Sequence, residues 1–311
     1  MSSRWYSISV LVFWIATMSW LIQRKVLPPL IVGEPPTYRT ILADKRSAAT
    51  VGWTISMEDQ PLGVATSTLR RLDNGSSEIH SQMRLTRLPL AELTPGWMKS
   101  LLRLLDADAR LTDRTLALDA DSRLEIDPLG RPVAFDSKAT FTEQRPRPPH
   151  HDAGSRFDVV MQGVVDGRYM KVKLRSGEFF YNSSVFLPPN ALMSDAFTPQ
   201  SQLPGLRVGQ TWTVPVYSPL GPPGSPLDIL QATVERNEPL VWNGRVVPTR
   251  LVIFRGNPGA ELTSGQAPRA RAWVARDGNV LRQELVLLSA RLSFERMPDD
   301  QVPPAGCQVR L

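Results

Sequence analysis

Glycine turns divide most of this chain into stretches of alternating apolar and polar residues, at Asn74-Gly75, Pro128-Leu129-Gly130, Asp166-Gly167, Gly177, Asn243-Gly244 and Asp277-Gly278. A two-residue hairpin turn of the primed type needs positive φ, which glycine adopts freely and Asn or Asp tolerates, so each site predicts two antiparallel strands meeting. The last is the clearest. Around Asp277-Gly278 the sequence reads RAWVARDGNVLRQEL, and after the turn Val280, Arg282, Glu284, Val286 and Leu288 alternate with Leu281, Gln283, Leu285, Leu287 and Ser289. That period of two belongs to a half-buried strand, and it accounts for Arg282 and Glu284 as the solvated face without any catalytic role.

The same pattern recurs from end to end. Strands are predicted at Val51–Met57, Gly63–Leu69, Glu78–Leu85, Leu116–Ile126, Arg131–Phe141, Phe157–Val165, Tyr169–Leu174, Glu178–Phe186, Thr211–Tyr217, Leu227–Arg236, Val246–Phe254 and Leu292–Arg296. The 28 prolines favour edges and loops over long helices. The fold class that follows is mainly β, of the α+β kind: a large curved antiparallel meander sheet with one packing helix. That helix is predicted at Pro95–Arg110, where Thr94 can cap, Pro95 takes the first helical position, and Trp97, Met98, Leu101, Leu102, Leu104 and Leu105 form a broad apolar stripe. A second, short helix is predicted at Asn190–Phe197 after Pro188-Pro189.

At the N-terminus, Trp5 to Ile22 carries no charge and as a helix reaches about 27 Å, near the hydrocarbon thickness of a bilayer. Trp5, Tyr6 and Trp20 suit the two interfacial belts, and Arg4 and Gln23-Arg24-Lys25 close the segment. No small-x-small cleavage site follows it cleanly, so it is expected to be a single, uncleaved transmembrane anchor, with a cleaved signal peptide as the alternative. Basic residues beyond it outnumber those before it, which by the positive-inside rule favours a cytoplasmic body. The chain thus divides into an anchor (1–25), a linker (26–50), a β domain (51–297) and a tail (298–311). Gly130-Arg131-Pro132-Val133 and Gly244-Arg245-Val246-Val247 hint at two partly similar halves of the β domain, with the Pro-rich segment 143–155 as the break.

Catalytic chemistry finds little purchase. His80 stands alone on a strand, and the adjacent His150-His151 lack further spaced ligands for a metal. Asp119, Asp121, Glu125 and Asp127 lack the glycine and final glutamate of a calcium loop and read as a solvated strand edge. The single Cys307 excludes an internal disulfide. The net charge of +6 is scattered rather than gathered into a basic run, so no nucleic-acid partner is expected. No catalytic residue, cofactor site or metal site is assigned. The residues expected to face a ligand or partner are Trp97, Leu101 and Leu105 on the helix and Trp273 beside the last hairpin.

The order of several motifs carries a resemblance. The Trp53 strand with Pro61-Leu62-Gly63, then Leu203-Pro204-Gly205-Leu206-Arg207-Val208-Gly209-Gln210-Thr211-Trp212, the turn Glu238-Pro239-Leu240-Val241-Trp242-Asn243-Gly244, and Trp273 with Asp277-Gly278-Asn279 resemble the β-rich N-terminal regions that precede transglutaminase-like domains in bacterial envelope proteins. More loosely, the chain is similar to the half-barrel sheets of lipoprotein-carrier-like proteins. The likeness implies a curved antiparallel sheet with a helix against it, outside the cytoplasm, against the local charge count. The papain-like Cys-His-Asp domain that follows such regions has no counterpart here. The function expected is a membrane-anchored, extracytoplasmic, non-catalytic β module acting as an interaction or scaffold protein of the bacterial envelope. A carrier of lipid or lipoprotein, or a hydrolase whose acids assemble only in three dimensions, are the alternatives.

Overall fold

Fifteen strands form one sheet among the described residues of the protein, whose structure is a computed structural model. It describes residues 2–23, 36–43, 49–89, 115–144, 156–187, 192–195, 199–217, 227–256, 267–287 and 290–302. The strands are β1 (Ala49–Met57), β2 (Gln60–Arg71), β3 (Ser77–Pro89), β4 (Thr115–Ile126), β5 (Pro132–Gln144), β6 (Arg156–Asp166), β7 (Tyr169–Ser176), β8 (Phe179–Phe186), β9 (Ser194–Asp195), β10 (Thr211–Tyr217), β11 (Leu227–Trp242), β12 (Arg245–Gly256), β13 (Ala270–Ala275), β14 (Val280–Leu287) and β15 (Ala290–Arg296). Two antiparallel meanders, β1 to β8 and β10 to β15, are joined where the first strand pairs with the last, Trp53 opposite Arg296 and Ile55 opposite Phe294. Only β9 runs parallel to its neighbour, β10. The expected break near 143–155 does not interrupt the sheet, because β5 and β6 on either side of it pair directly from Thr142↔Arg156 to Ala134↔Val164.

The turns form where the glycines predicted them, with three different geometries. Asn243-Gly244 is a primed two-residue turn with φ of 48° and 70°, and Glu58-Asp59 adopts the same form without glycine at 46° and 66°. Gly167 and Gly177 take positive φ at the first turn position while the second residue does not, the arrangement of the other primed turn. Asp277-Gly278 differs from expectation. Gly278 N–H donates to Ala275 O at 3.0 Å, Ala275 N–H donates to Asn279 O at 2.8 Å, and only Gly278 has positive φ, at 85°. This is a three-residue loop, a type I turn closed by a left-handed glycine. Gly75 and Gly130 close their loops in the same way. At the second of these Asp127 accepts from the backbone N–H groups of Leu129 and Arg131 and from the Arg131 guanidinium. Burial opposes ionisation of that carboxyl, but the Arg131 contacts outweigh it and hold Asp127 below the usual carboxylate range.

Chain connectivity requires the sheet to curl. Laid flat, fourteen inter-strand steps of about 4.8 Å would set β8 and β9, the two edges, about 67 Å apart. The eight residue-to-residue steps from Phe186 to Ser194 span at most about 29 Å. The sheet therefore curls, so that its two unpaired edges stand within this reach of each other. Leu187 and Met193, at the two ends of this connection, pack into one buried cluster with Phe135, Met161, Met170 and Val172 of the inner face.

Alternation along each strand assigns the two faces. The inner face carries the main core, which runs through Val51, Trp53 and Ile55 of β1, Met83 and Leu85 of β3, Leu118 of β4, Val234 of β11, Val252 of β12, Val274 of β13 and Phe294 of β15. The helix that joins this core lies in the stretch expected to be linker. In α2 (Tyr38–Ala43), Tyr38, Ile41 and Leu42 are buried, and the Tyr38 hydroxyl donates to Met193 O at 2.7 Å. A helix of six residues has too little periodicity to stand out in a Pro-rich sequence. The predicted helix Pro95–Arg110 lies outside the described residues, as do His150, His151 and Cys307. Of the predicted short helix 190–197, the described part is not helical: Leu192 and Met193 are buried and extended into β9.

The N-terminal helix forms as α1 (Ser2–Leu21), and every residue from Trp5 to Gln23 is exposed. The expectation of a membrane span is corrected: among the described residues no helix is long and apolar enough to cross a membrane. Four hydroxyl residues, Ser7, Ser9, Thr17 and Ser19, and three tryptophans dilute the aliphatic content. Ser9 and Thr17 return their hydroxyls to the carbonyls of Trp5 and Phe13, the usual way such groups are satisfied in an apolar helix.

Candidate interaction surface

Of the four residues expected to face a ligand or partner, Trp97, Leu101 and Leu105 lie outside the described residues. The fourth, Trp273, sits on the outer face of β13, opposite Leu251 of β12 and Arg282 of β14. It is only 8% exposed. Leu240, Leu251, Ile253, Ala275 and Leu281 pack around it, the Arg282 guanidinium lies 5.5 Å over its ring, and its indole N–H donates to Glu238 Oε1 at 2.9 Å. Trp273 is thus consumed by contacts within its own sheet and presents no free face to a partner.

Charges complete this outer-face cluster. Arg236 donates to Glu238 at 2.6 Å, and Glu284 is paired with Arg282 at 3.0 Å. The Trp273 indole first, then Arg236, hold Glu238 below the ordinary carboxylate range against a smaller cost of burial. A bulge at Glu235 of β11, and a second at Leu281 of β14 opposite Trp273 and Val274, re-aim the strands so that these groups share one face. Each carboxylate here is held by cations or an indole, which fixes the strands but offers no free base.

Elsewhere the polar groups are similarly committed. His80 Nε2 is 2.8 Å from Asp121, which also accepts from Gln82, and Arg84 pairs with Asp119 across β3 and β4. Asp119 and Asp121 therefore stand as cross-strand partners on the outer face. Thr68 faces His80 in register, but its hydroxyl is 3.0 Å from that of Thr50. Among the described residues no three His, Cys, Asp or Glu groups come together to hold a metal ion.

On the inner face a row of serines crosses four strands, Ser67, Ser81, Ser122 and Ser137, with the Ser81 hydroxyl donating to Ser67 at 3.2 Å. Beside it the apolar core is tight. Trp53, Ile55, Ala232, Val234, Val252 and Val274 have essentially no exposed surface, so none of them borders a void that admits water. The Phe135 ring lies over Gly163 so closely that a Cβ there would meet Cε1 within 1.9 Å. The indole N–H of Trp53 and of Trp212 and the amide oxygen of Gln283 are buried without a hydrogen-bond partner among the described residues.

One surface was missed by the sequence reading. β8, FFYNSSVF, is an edge of the sheet and contains neither charge nor proline. Edge strands are normally blunted by lysine, proline or bulges, because their free N–H and C=O groups invite another strand. On its outer face Phe180 is 59% and Phe186 44% exposed, and Phe186 meets Tyr169 of β7 edge to face with ring centroids 6.0 Å apart. Behind β8, the outer face of β7 carries Lys171, Lys173 and Arg175 in alternate positions. Lys171 pairs with Asp166 at 2.6 Å, whereas Lys173 and Arg175 have no ion-pair partner among the described residues. The signal in the sequence was this adjacency of an alternating cationic strand and an uncharged aromatic one, legible only once their pairing is known.

No protein-family model and no curated protein sequence matches the chain. Among solved structures it is similar to the crystal structure of the β-barrel-like protein of the domain of unknown function DUF1849 from Brucella abortus. The identity is 8% and the TM-score 0.44, over 80% of this chain and 95% of that one. The curled form of this chain rests on its own edge-to-edge connection.

Proposed function

We propose that this protein is a non-catalytic interaction module of the cell envelope, in which α1 attaches a curled β sheet to the surface of a membrane and the outside of the sheet receives a partner. The observation that carries this reading is the packed inner face around the β1–β15 seam. A carrier of lipid needs an apolar cavity with exposed lining, whereas Trp53, Ile55, Val234, Val252 and Phe294 there have almost no surface left for a ligand; toward β8 the inner face is more open, with Phe157 47% and Phe179 49% exposed, and any cargo would have to sit there. What remains available among the described residues is the outer surface, with the strand edge at β8 left unpaired. The polar groups that could serve a hydrolase are tied to one another in cross-strand pairs, which favours structure over acid–base work.

The role of α1 is argued from its exposure. The side chains from Trp5 to Gln23 are exposed and those from Trp5 to Ile22 carry no charge, a surface that an apolar medium would satisfy, and Trp5 and Trp20 suit the level of lipid headgroups. An attachment to the membrane, on the side opposite the cytoplasm as the resemblance implies, follows as part of the proposal. Two measurements test it. The full chain should co-sediment with lipid vesicles and a variant lacking residues 2–23 should not; equal partition of the two would remove the attachment role. Mass spectrometry of the purified protein should find no stoichiometric lipid, and finding one would replace the interaction module by a carrier.

A further inference from the structure

We propose that the free edge of β8 receives an extended, acidic segment of a partner protein as an added strand. The proposal rests on the interaction-module reading above and names the partner's chemistry. The Leu187 N–H donates to Arg168 O at 2.8 Å, so residue 187 points its backbone toward β7. Hydrogen-bonding direction alternates along an antiparallel strand, so Tyr181, Ser183 and Val185 also point inward to β7. The N–H and C=O groups of Phe180, Asn182, Ser184 and Phe186 are then directed at the free edge. The side chains of these same four residues stand on the outer face, because both alternations have a period of two.

An incoming strand would place its own alternate side chains in the rows of those four residues. In register, Arg175 lies behind Phe180, Lys173 behind Asn182, Lys171 behind Ser184 and Tyr169 behind Phe186. Two strand spacings, about 10 Å, separate the β7 backbone from the incoming one, a gap that a lysine or arginine and a glutamate close between them. The Arg175 and Lys173 rows therefore favour a carboxylate, the Lys171 row, already paired with Asp166, is neutral to one, and the fourth, with Phe186 and Tyr169, favours an aromatic ring. A second copy of this chain fits less well. Pairing β8 with β8 of another molecule would bring the Lys171, Lys173 and Arg175 rows of both onto one face, three strand spacings or about 14 Å apart, with no acid between them.

The test uses the full chain in a non-ionic detergent and a fluorescein-labelled peptide of alternating glutamate and threonine ending in phenylalanine, followed by anisotropy at low salt. The expected result is saturable binding that weakens with salt and is absent for the peptide with lysine in place of glutamate. Ser184→Pro removes one edge N–H while leaving the β7 pairing intact, since proline is tolerated where the N–H faces solvent, and it should weaken binding by about tenfold or more. Lys173→Glu with Arg175→Glu should abolish binding of the glutamate peptide and restore binding to the lysine peptide, a gain that a misfolded variant could not show. Binding of the glutamate peptide that is indifferent to Ser184→Pro or equalled by the lysine peptide overturns the proposal, as does a dimer that Ser184→Pro dissociates. Stoichiometric lipid in the same preparation defeats the interaction-module reading itself. Lipid-free protein that ignores the peptide defeats only the assignment of the β8 edge.

Discussion

Gly278 shows how much one residue carries in this fold. Its φ of 85° closes the last hairpin, and a Cβ there would stand 2.8 Å from Pro204 Cα, on the loop that leads into β10. Leu203 N–H donates to Gly278 O at 2.8 Å and Val280 N–H to Ser201 O at 3.2 Å, so the turn is also a docking point for that loop. Gly278→Val combines left-handed strain of about 1–2 kcal/mol with this clash and is expected to lower the melting temperature by several degrees or more. Circular dichroism melts of variant and wild type check it; an unchanged midpoint would mean that the loop contact and the turn geometry contribute nothing. Asp-Gly was visible as a turn in the sequence. The type of turn was not, because the third loop residue and the Pro204 contact depend on a segment about 70 residues away.

At the scale of the element, the outer face of β11 to β14 behaves as a bolted panel rather than a binding surface. Glu238 on β11 accepts from Trp273 on β13, spanning the intervening β12, and Arg236 faces Leu251. Because the folded state holds the Glu238 pKa below its unfolded value, its contribution is fully present above the ordinary glutamate range, near pH 4.3, and is lost as pH falls through the depressed value. Glu238→Gln keeps an acceptor for the indole but cannot titrate. The stability difference between wild type and this variant is therefore expected to be constant from pH 7 to about 5 and to shrink below about 4. Thermal melts across that range measure it, and a difference that grows on acidification would reverse the assigned sign. Trp273 was singled out from its position beside a turn, and that was enough to find the cluster but not to show that its ring was already occupied.

The described strands form one sheet, and its main inner core is shared by both meanders. The seam is the β1–β15 pair, which joins residues more than 230 positions apart, so neither meander has an edge of its own to stand on at that side. Unfolding is expected to be a single cooperative transition, with calorimetric and van't Hoff enthalpies in agreement. Two resolved transitions in a calorimetric scan would instead support halves that fold independently, divided near 143–155.

Local chemistry in the sequence was sufficient to place most of the strands. Positive φ at Gly75, Gly130, Gly167, Gly177, Gly244 and Gly278, together with period-two alternation, depends on a few neighbouring residues, and such signals survive in any tertiary context. The candidate surface was not legible in the same way. That β8 is an edge, that Lys173 and Arg175 stand behind it, that α2 fills a place in the core and that the sheet curls around that core are all consequences of which strand pairs with which. Strand pairing is decided by long-range burial and by the length of chain between elements, and no window of sequence contains either. The sequence determined where this chain turns and which residues alternate; the curling of the sheet decided which of those residues have a partner and which are left for another protein.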